Sequence, residues 1–453
     1  MFNRKPLNYF LFYLIISPAL LYCQVYFYLE NTVPVGLYPS ALVENPLNRK
    51  IYCANSGSNS ITVIDQVTTQ IITTIRVGSY PSNLVYNPIS NKIYCANQTS
   101  NDISIIDGVT NEVLNTVGVG IQPRALAFDS VHNKIYCANA GSNNVSVIDG
   151  TNNNLVATIN VGNYPNGLIY NPINQKIYCA NMDNHNISVI DATNYNVIAT
   201  IPVGAFPLSL AYNPISNKVY CASWANGRIH IIDGATDQLL DSLIYNNSGP
   251  QSLIYCPYNK IAYVNFTGDN FKIIDGSTNA IIGNLQFAVG TRPFLLHHSL
   301  GNFTYCANIG SNKVYVLSST NVFDSLPIVY PYAILGSWIS GGTRVFITGL
   351  NSSYLKVFRC NLPGLEEDQQ LSFDNNHPFS IHPNPASSVF RICCPWLVKN
   401  IKIYDITGKL VKKQEFTNPR TGEMRVLTDQ LNSGVYFIQI NSLPQINKIN
   451  IVK

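Results

Sequence analysis

The segment Ile51-Tyr52-Cys53-Ala54-Asn55 returns unchanged at Ile93, Ile135 and Ile177, and again as Val219-Tyr220-Cys221-Ala222-Ser223, at a constant spacing of 42 residues. Weaker copies begin at Ile261, Phe303 and Val345 and keep the same spacing. A fixed period of this size leaves few folds open, because each unit is one supersecondary piece that buries its apolar surface only against its neighbours. Around every copy the same grammar holds. In the third unit it runs Pro123 to Phe128, Lys134 to Asn139, Val145 to Asp149 and Leu155 to Gly162, four short runs rich in Val, Ile, Thr and Tyr. Turns of Asn, Gly, Ser and Pro separate them. Helical repeats of similar length would need two amphipathic helices per unit, and this composition argues against them.

Four strands of about six residues with turns of about four make roughly 40 residues, the size of one β-propeller blade. Within Ile135-Tyr136-Cys137-Ala138 the Ile/Cys face and the Tyr/Ala face are both apolar, as a sheet packed between two others requires. The ends of the array predict how it closes. Residues Val25 to Gly36 resemble the last strand of a unit without its first three, and the final unit, about Pro331 to Arg359, offers three strands without a fourth. The expected fold is therefore all-β: a propeller of four-stranded antiparallel sheets with eight blades, the N-terminal strand completing the last one and removing free edges. Seven blades is the alternative if the region after Pro293 holds only one.

Only 11% of the 453 residues are charged and 46% are hydrophobic, so the chain is expected to fold rather than stay disordered. A net charge of +4 without any Lys/Arg run excludes a phosphate-tracking stripe, and no nucleic-acid partner is expected. Arg4 and Lys5 precede the apolar run Phe10 to Tyr22, which Pro18 interrupts; residues 1–23 read as a signal peptide for export. The run is short for a membrane span.

The tempting chemical features repeat with the blades. Cys53, Cys95, Cys137, Cys179, Cys221 and Cys306 could be imagined as a ring of thiols. Equivalent positions on adjacent sheets are roughly 10 Å apart, too far for a disulfide or a shared metal, so buried apolar cysteines are expected and no metal or cofactor. Asp65, Asp107, Asp149, Asp191, Asp233 and Asp275 each close a third strand and suit Asx turns. Lys92, Lys134, Lys176, Lys218 and Lys260 fall on the same rim and are expected to neutralise them. The seven His show no ligand spacing, and no GxSxG, P-loop or dinucleotide fingerprint occurs. Recognition is sought where the repeats disagree, because loop positions are free to specialise. There the plain Gly-Ser-Asn turns become Met182 to His185 and Trp224 to Arg228. Trp224, Arg228 and His185, with Arg124 and Phe206 on connecting loops, form the expected ligand-binding patch. No catalytic residue is assigned.

With these residues in view, the Tyr-Cys-Ala-Asn segment, the following Ile-Ser-Val-Ile-Asp and the Val-Gly-x-x-Pro turn resemble the YVTN-repeat family of β-propellers over about residues 30 to 360. Cys and Ala stand where that motif has Val and Thr. The resemblance implies an extracellular setting and no single chemistry.

Beyond residue 360 the repeat stops. Residues 361–374 read as a linker, and residues 375–453 as a small antiparallel β-sandwich. Its landmarks are His382-Pro383-Asn384-Pro385, Tyr404 to Val411 with Gly408 and Lys409, Leu431 to Phe437 with Gly434 and Tyr436, and a basic end bearing Lys448 and Lys453. They are similar to the type A C-terminal sorting domain of the bacterial type IX secretion system. That resemblance implies the secretion machinery as partner and a secreted or outer-surface location on a Gram-negative-type bacterium. The propeller of residues 24–360 is then expected to be a monomeric binding scaffold for an extracellular protein or glycan. The alternative is a propeller lyase or hydrolase acting on extracellular polysaccharide.

Overall fold

The computed structural model describes residues 26–244, 249–256, 260–265, 269–288, 293–298, 304–318, 321–339, 342–361, 380–382, 389–404, 410–427, 434–440 and 446–451. Every regular element among them is a β-strand. Up to residue 361 the strands form eight four-stranded antiparallel sheets. Blade 3 shows the pattern: Pro123–Asp129, Lys134–Asn139, Asn144–Asp149 and Leu155–Asn160 pair in sequence order. The first strand of each blade is innermost and neighbours the first strands on either side, and that of blade 1, Pro39–Asn45, meets that of blade 8, Pro331–Ile339. The array is therefore a closed ring of eight blades.

Closure follows the reading of the chain ends. Tyr26–Pro34 pairs antiparallel with Tyr354–Asn361 and becomes the outer strand of blade 8. A strand from the start of the chain thus completes a sheet whose other three strands come from the end of the repeats, which ties the ring.

The core is divided into seams between blades. Tyr52, Ala54, Ile61 and Val63 of blade 1 pack on Ile93, Cys95 and Ile106 of blade 2. The same two faces meet between blades 2 and 3 and between blades 3 and 4. At the closure, Val33, Phe346, Leu355 and Val357 of blade 8 cover Ile51, Cys53 and Ile64 of blade 1. The tyrosines at 52, 94, 136, 178 and 220 are fully buried, and the first four fill the volume opposite a small Cys on the next blade. These cysteines are free thiols in apolar surroundings, and burial pushes their ionisation upward.

A repeated set of hydrogen bonds pins the hairpins beside the seams. Asn97 donates from Nδ2 to Asp102 Oδ1 at 2.6 Å and to Ser104 Oγ at 2.9 Å, pinning its hairpin; Asn139 and Asn181 do the same in blades 3 and 4. Asp107 Oδ1 accepts from the Val109 and Thr110 N–H groups, the Asx turn expected for the whole series. The lysines do lie on the aspartate rim, but their main role differs from charge neutralisation. Lys92 Nζ donates to Gly150 O, Thr151 O and Asn153 Oδ1, all in the next blade's turn; Lys50 and Lys218 repeat this. Only Lys134 with Asp149 and Lys176 with Asp237 form ion pairs among the described members. The reason is reach: a partly buried ammonium beside a carbonyl-rich turn gains three oriented acceptors and links two blades at once.

Residues 380–451 contribute a separate antiparallel sheet in which Val389–Tyr404 pairs with Ser380–His382, Leu410–Leu427 and Gly434–Ile440, and the last of these pairs with Ile446–Ile451. Of the sorting landmarks, Gly434 and Tyr436 lie on one strand and Lys448 on its neighbour, opposite Phe437. Pro383, Asn384, Pro385, Gly408, Lys409 and Lys453 fall outside the described residues.

The closing seam holds one group that departs from the repeat. Glu44 accepts from Ser337 Oγ at 2.8 Å and Gln66 Nε2 at 2.9 Å, yet its burial outweighs these bonds and pushes its carboxyl up to about 7. A raised acid favours the folded state when protonated. Its contribution is therefore full below the unfolded value near 4.5 and is lost as pH rises through 7. Glu44→Gln should remove that pH dependence and raise stability at pH 8 by about 2 kcal/mol, measured by denaturant unfolding at several pH values.

Candidate functional site

Two faces of the ring remain to be compared. One carries the turns from first to second and from third to fourth strand, including the lysine and aspartate series. The other carries the turns from second to third strand and the links between blades, and all five residues expected in the ligand patch lie on it.

On this second face each inner strand opens with a proline, and the pairing shifts by one residue immediately after it, as between Pro123 and Ala125. A bulge of this kind re-aims the extra side chain. The bulged residues are Ser40, Ser82, Arg124, Asn166, Leu208, Gln251, Phe294 and Tyr332, so an otherwise regular frame places chemically diverse residues at one level around its axis. They also reach from blade to blade. Ser40 Oγ donates to Pro81 O at 2.7 Å, Arg124 Nη1 to Asn166 Oδ1 at 3.0 Å, and Asn166 Nδ2 to Leu208 O at 3.4 Å.

Immediately before the prolines stand Tyr38, Tyr80, Gln122, Tyr164, Phe206 and Tyr330, all with φ between 46° and 59°. Bulky side chains are disfavoured in this left-handed region, where Gly or Asn fits at lower cost. Elsewhere in the ring such positions are held mostly by Asn, as at Asn59, Asn101, Asn143, Asn91, Asn133 and Asn217, with Arg49, Thr69, Gln175 and Tyr195 among the exceptions. The aromatic position is also open: Tyr38, Tyr80, Phe206 and Tyr330 are 36 to 49% exposed. Neither turn geometry nor core packing accounts for a repeated exposed aromatic in a strained turn.

The five expected residues separate into two groups. His185, Phe206 and Trp224 come together: the His185 and Phe206 rings meet edge to face at 5.4 Å, and the backbone N–H of Trp224 donates to Phe206 O at 3.0 Å, as its equivalents do in other blades. Trp224 spreads over the following link, where a Cβ added to Gly249 would come within 2.6 Å of the indole, so that close approach needs glycine. His185 occupies the site of Asn59, Asn101 and Asn143, whose Oδ1 atoms accept from the N–H of the next aromatic or Gln; it is part of the frame as well as of the surface. Arg228 starts the third strand of the Trp224 hairpin, opposite Ser223. Arg124 belongs elsewhere. Its guanidinium lies 5.3 Å from the Tyr164 ring centroid, and Tyr332 is within electrostatic reach of both Arg124 and Tyr80. Burial raises the Tyr332 phenol, Tyr80 adds to this, and the Arg124 charge opposes it.

Tyr38, Tyr80, Tyr164, Tyr330 and Tyr332 were not expected here. Their signal is in the sequence, as an aromatic before or after the first-strand proline. It was passed over because shared letters were read as packing, whereas this shared position faces solvent.

The arrangement suits binding by stacking and hydrogen bonding. Among the described residues no group of three His, Cys, Asp or Glu could hold a metal ion. The buried His230 is structural: Nε2 accepts from the Gly204 N–H at 2.7 Å and Nδ1–H donates to Ser242 Oγ at 2.8 Å. It stands where other blades have Ser104, Ser146 and Ser188.

Residues 18–224 match the family model of YNCE-like β-propellers, and residues 380–453 match the secretion system C-terminal sorting domain. Among solved structures, Kuenenia stuttgartiensis hydrazine synthase is similar with a TM-score of 0.52 and 18% identity, over 62% of this chain and 96% of that one. The computationally designed Ika8 protein is similar with a TM-score of 0.61 and 16% identity, over 72% of this chain and 97% of that one. At such identities the likeness shows the fold alone. No curated protein matches the sequence.

Burial, reinforced by the Arg228 charge, holds the His230 imidazole down to about 4. Its contribution to stability is present above the unfolded value of 6.5 and is lost as pH falls from there toward 4. His230→Ser, which restores the serine of the other blades, should flatten that acid limb by about 2 kcal/mol in unfolding measurements between pH 7 and 4.

Proposed function

Because this chain is a secreted β-propeller, YNCE-like in its first half and ending in a type IX sorting domain, we propose that it is an extracellular binding module and that its recognition face is the proline-bulge rim. One observation carries the reading: aromatic residues recur on that rim in exposed left-handed turns, where neither the turn nor the core has use for them. Aromatic rings supply large contact area at low entropy cost, and strain retained at a surface site points to use of that site. The bulged residues add neutral hydrogen-bonding groups around the same axis.

Export proceeds in two stages. Residues 1–23 act as the signal peptide, and the C-terminal domain engages the type IX machinery, which delivers the propeller to the cell surface or the medium. Deleting residues 444–453 should leave the protein in the periplasm, read by cell fractionation; normal surface delivery would contradict this route.

The rim assignment is tested with the secreted protein on a panel of immobilised neutral and acidic polysaccharides. Alanine at Tyr38, Tyr80 and Phe206 together should weaken binding at least tenfold, at about 1 kcal/mol or more for each stacked ring. Asp at Ile89 and Ile173, exposed on the opposite rim, should leave binding as in the wild type. The reverse result would move the site to the other face.

A further inference from the structure

The rim reading leaves the ligand class open, and Arg124 narrows it. Arg124 is the bulged residue of blade 3, carried toward the axis by the register shift between Pro123 and Ala125. Of its five N–H donors the structure commits Nη1, to Asn166 Oδ1. Its Cζ lies over the Tyr164 ring, 5.3 Å from the centroid, and no carboxylate pairs with it among the described residues. Arg344, by contrast, is the bulky cation of the closing blade and is fully engaged by Glu30 and the carbonyls of Gln66 and Val67. A guanidinium positioned by an aromatic ring and a neutral amide, with its remaining donors uncommitted, is prepared for a planar oxyanion.

Its surroundings restrict the rest of the ligand. Tyr332, the bulged residue of blade 8, lies within electrostatic reach of the guanidinium, and Ser40, Ser82 and Asn166 place small neutral groups at the same level. Outside them stand the exposed rings of Tyr38, Tyr80 and Phe206. Flat rings with electron-rich faces suit the C–H face of a pyranose, and neutral donors and acceptors suit its hydroxyls. A single cation among neutral groups suits one carboxylate per few residues of ligand, rather than the dense charge of a polyanion such as nucleic acid.

We infer that Arg124, held between Asn166 and Tyr164, is a subsite for the carboxylate of an acidic saccharide, whose neighbouring sugars lie on the aromatic rim. This rests on the rim reading and adds the ligand class to it. Binding is noncovalent: the carboxylate accepts two parallel bonds from the guanidinium.

The test is isothermal titration calorimetry of the secreted protein with an oligogalacturonate and with the same oligomer fully methyl-esterified, which removes the charge and keeps the ring. The acid should bind ten- to a hundredfold more tightly, the range for a hydrogen-bonded charge, and the preference should shrink with added salt. Arg124→Gln should bring the acid down to the level of the ester, and Arg124→Lys should restore part of the preference, since it keeps the charge and loses the fork. Phe206→Ala should weaken acid and ester by the same factor. Equal binding of acid and ester, no binding of either, or an Arg124→Gln protein that still prefers the acid would overturn the subsite. So would tighter binding of poly-glutamate than of the oligogalacturonate, which would make the ligand an acidic protein. If the Phe206→Ala protein also binds both saccharides as the wild type does, the rim reading fails as well; if only the acid preference is missing, the rim reading stands without the subsite.

Discussion

Every sheet in this ring is apolar on both faces, and that constraint sets the rest of the structure. A lone blade cannot bury Tyr136 and Ala138 on one side and Ile135 and Cys137 on the other. Each needs a neighbour on both sides, and a row of such sheets has no stable end except its own beginning. The strand Tyr26–Pro34 supplies that junction, and the seam it completes buries Val33 against Ile51 and Cys53 of blade 1. Within the seams from blade 1 to blade 5 a fully buried Tyr projects forward into space left by a small Cys. A larger residue at the Cys position would overpack that space, and a smaller one at the Tyr position would leave a cavity.

Most of this frame was legible because period and pattern report the same physics. The 42-residue spacing, the two apolar faces of Ile-Tyr-Cys-Ala and the split blade at the chain ends led to eight closed blades. The Asx turns were legible for the same reason, since an Asp at the end of a strand with a Thr just beyond has one local use. The lysines were partly misread. Lys92 and Asp107 share a rim, yet Lys92 donates to the turn of the following blade, and which carbonyls lie within reach of a long side chain is set by the stacking of sheets.

The site was less legible, because letters that repeat were taken to serve packing. That holds for Tyr52 and its equivalents and fails for Tyr38 and Tyr80, which repeat and remain exposed. Exposure depends on which end of a blade a turn occupies, and that becomes visible only when the blades stand side by side. His185 shows the converse. It differs from its counterparts in the alignment of blades, yet its ring takes the place of Asn143 beside the link to the next blade. Arg124 was singled out as a connecting-loop residue, while Tyr164 comes from the link to blade 4 and Tyr332 from blade 8, whose place in the ring is set by closure.

A ring closed by its own N-terminal strand must open as a unit, and hydrogen exchange measures that directly. Peptides covering Tyr26–Pro34 should exchange in the same slow class as Gly342–Gly349 and Tyr354–Asn361, because losing any of them exposes the blade 8 to blade 1 seam. If the N-terminal strand instead exchanged near the rate of an open chain while its two neighbours stayed protected, closure would not hold the ring, and the account built on it would be wrong.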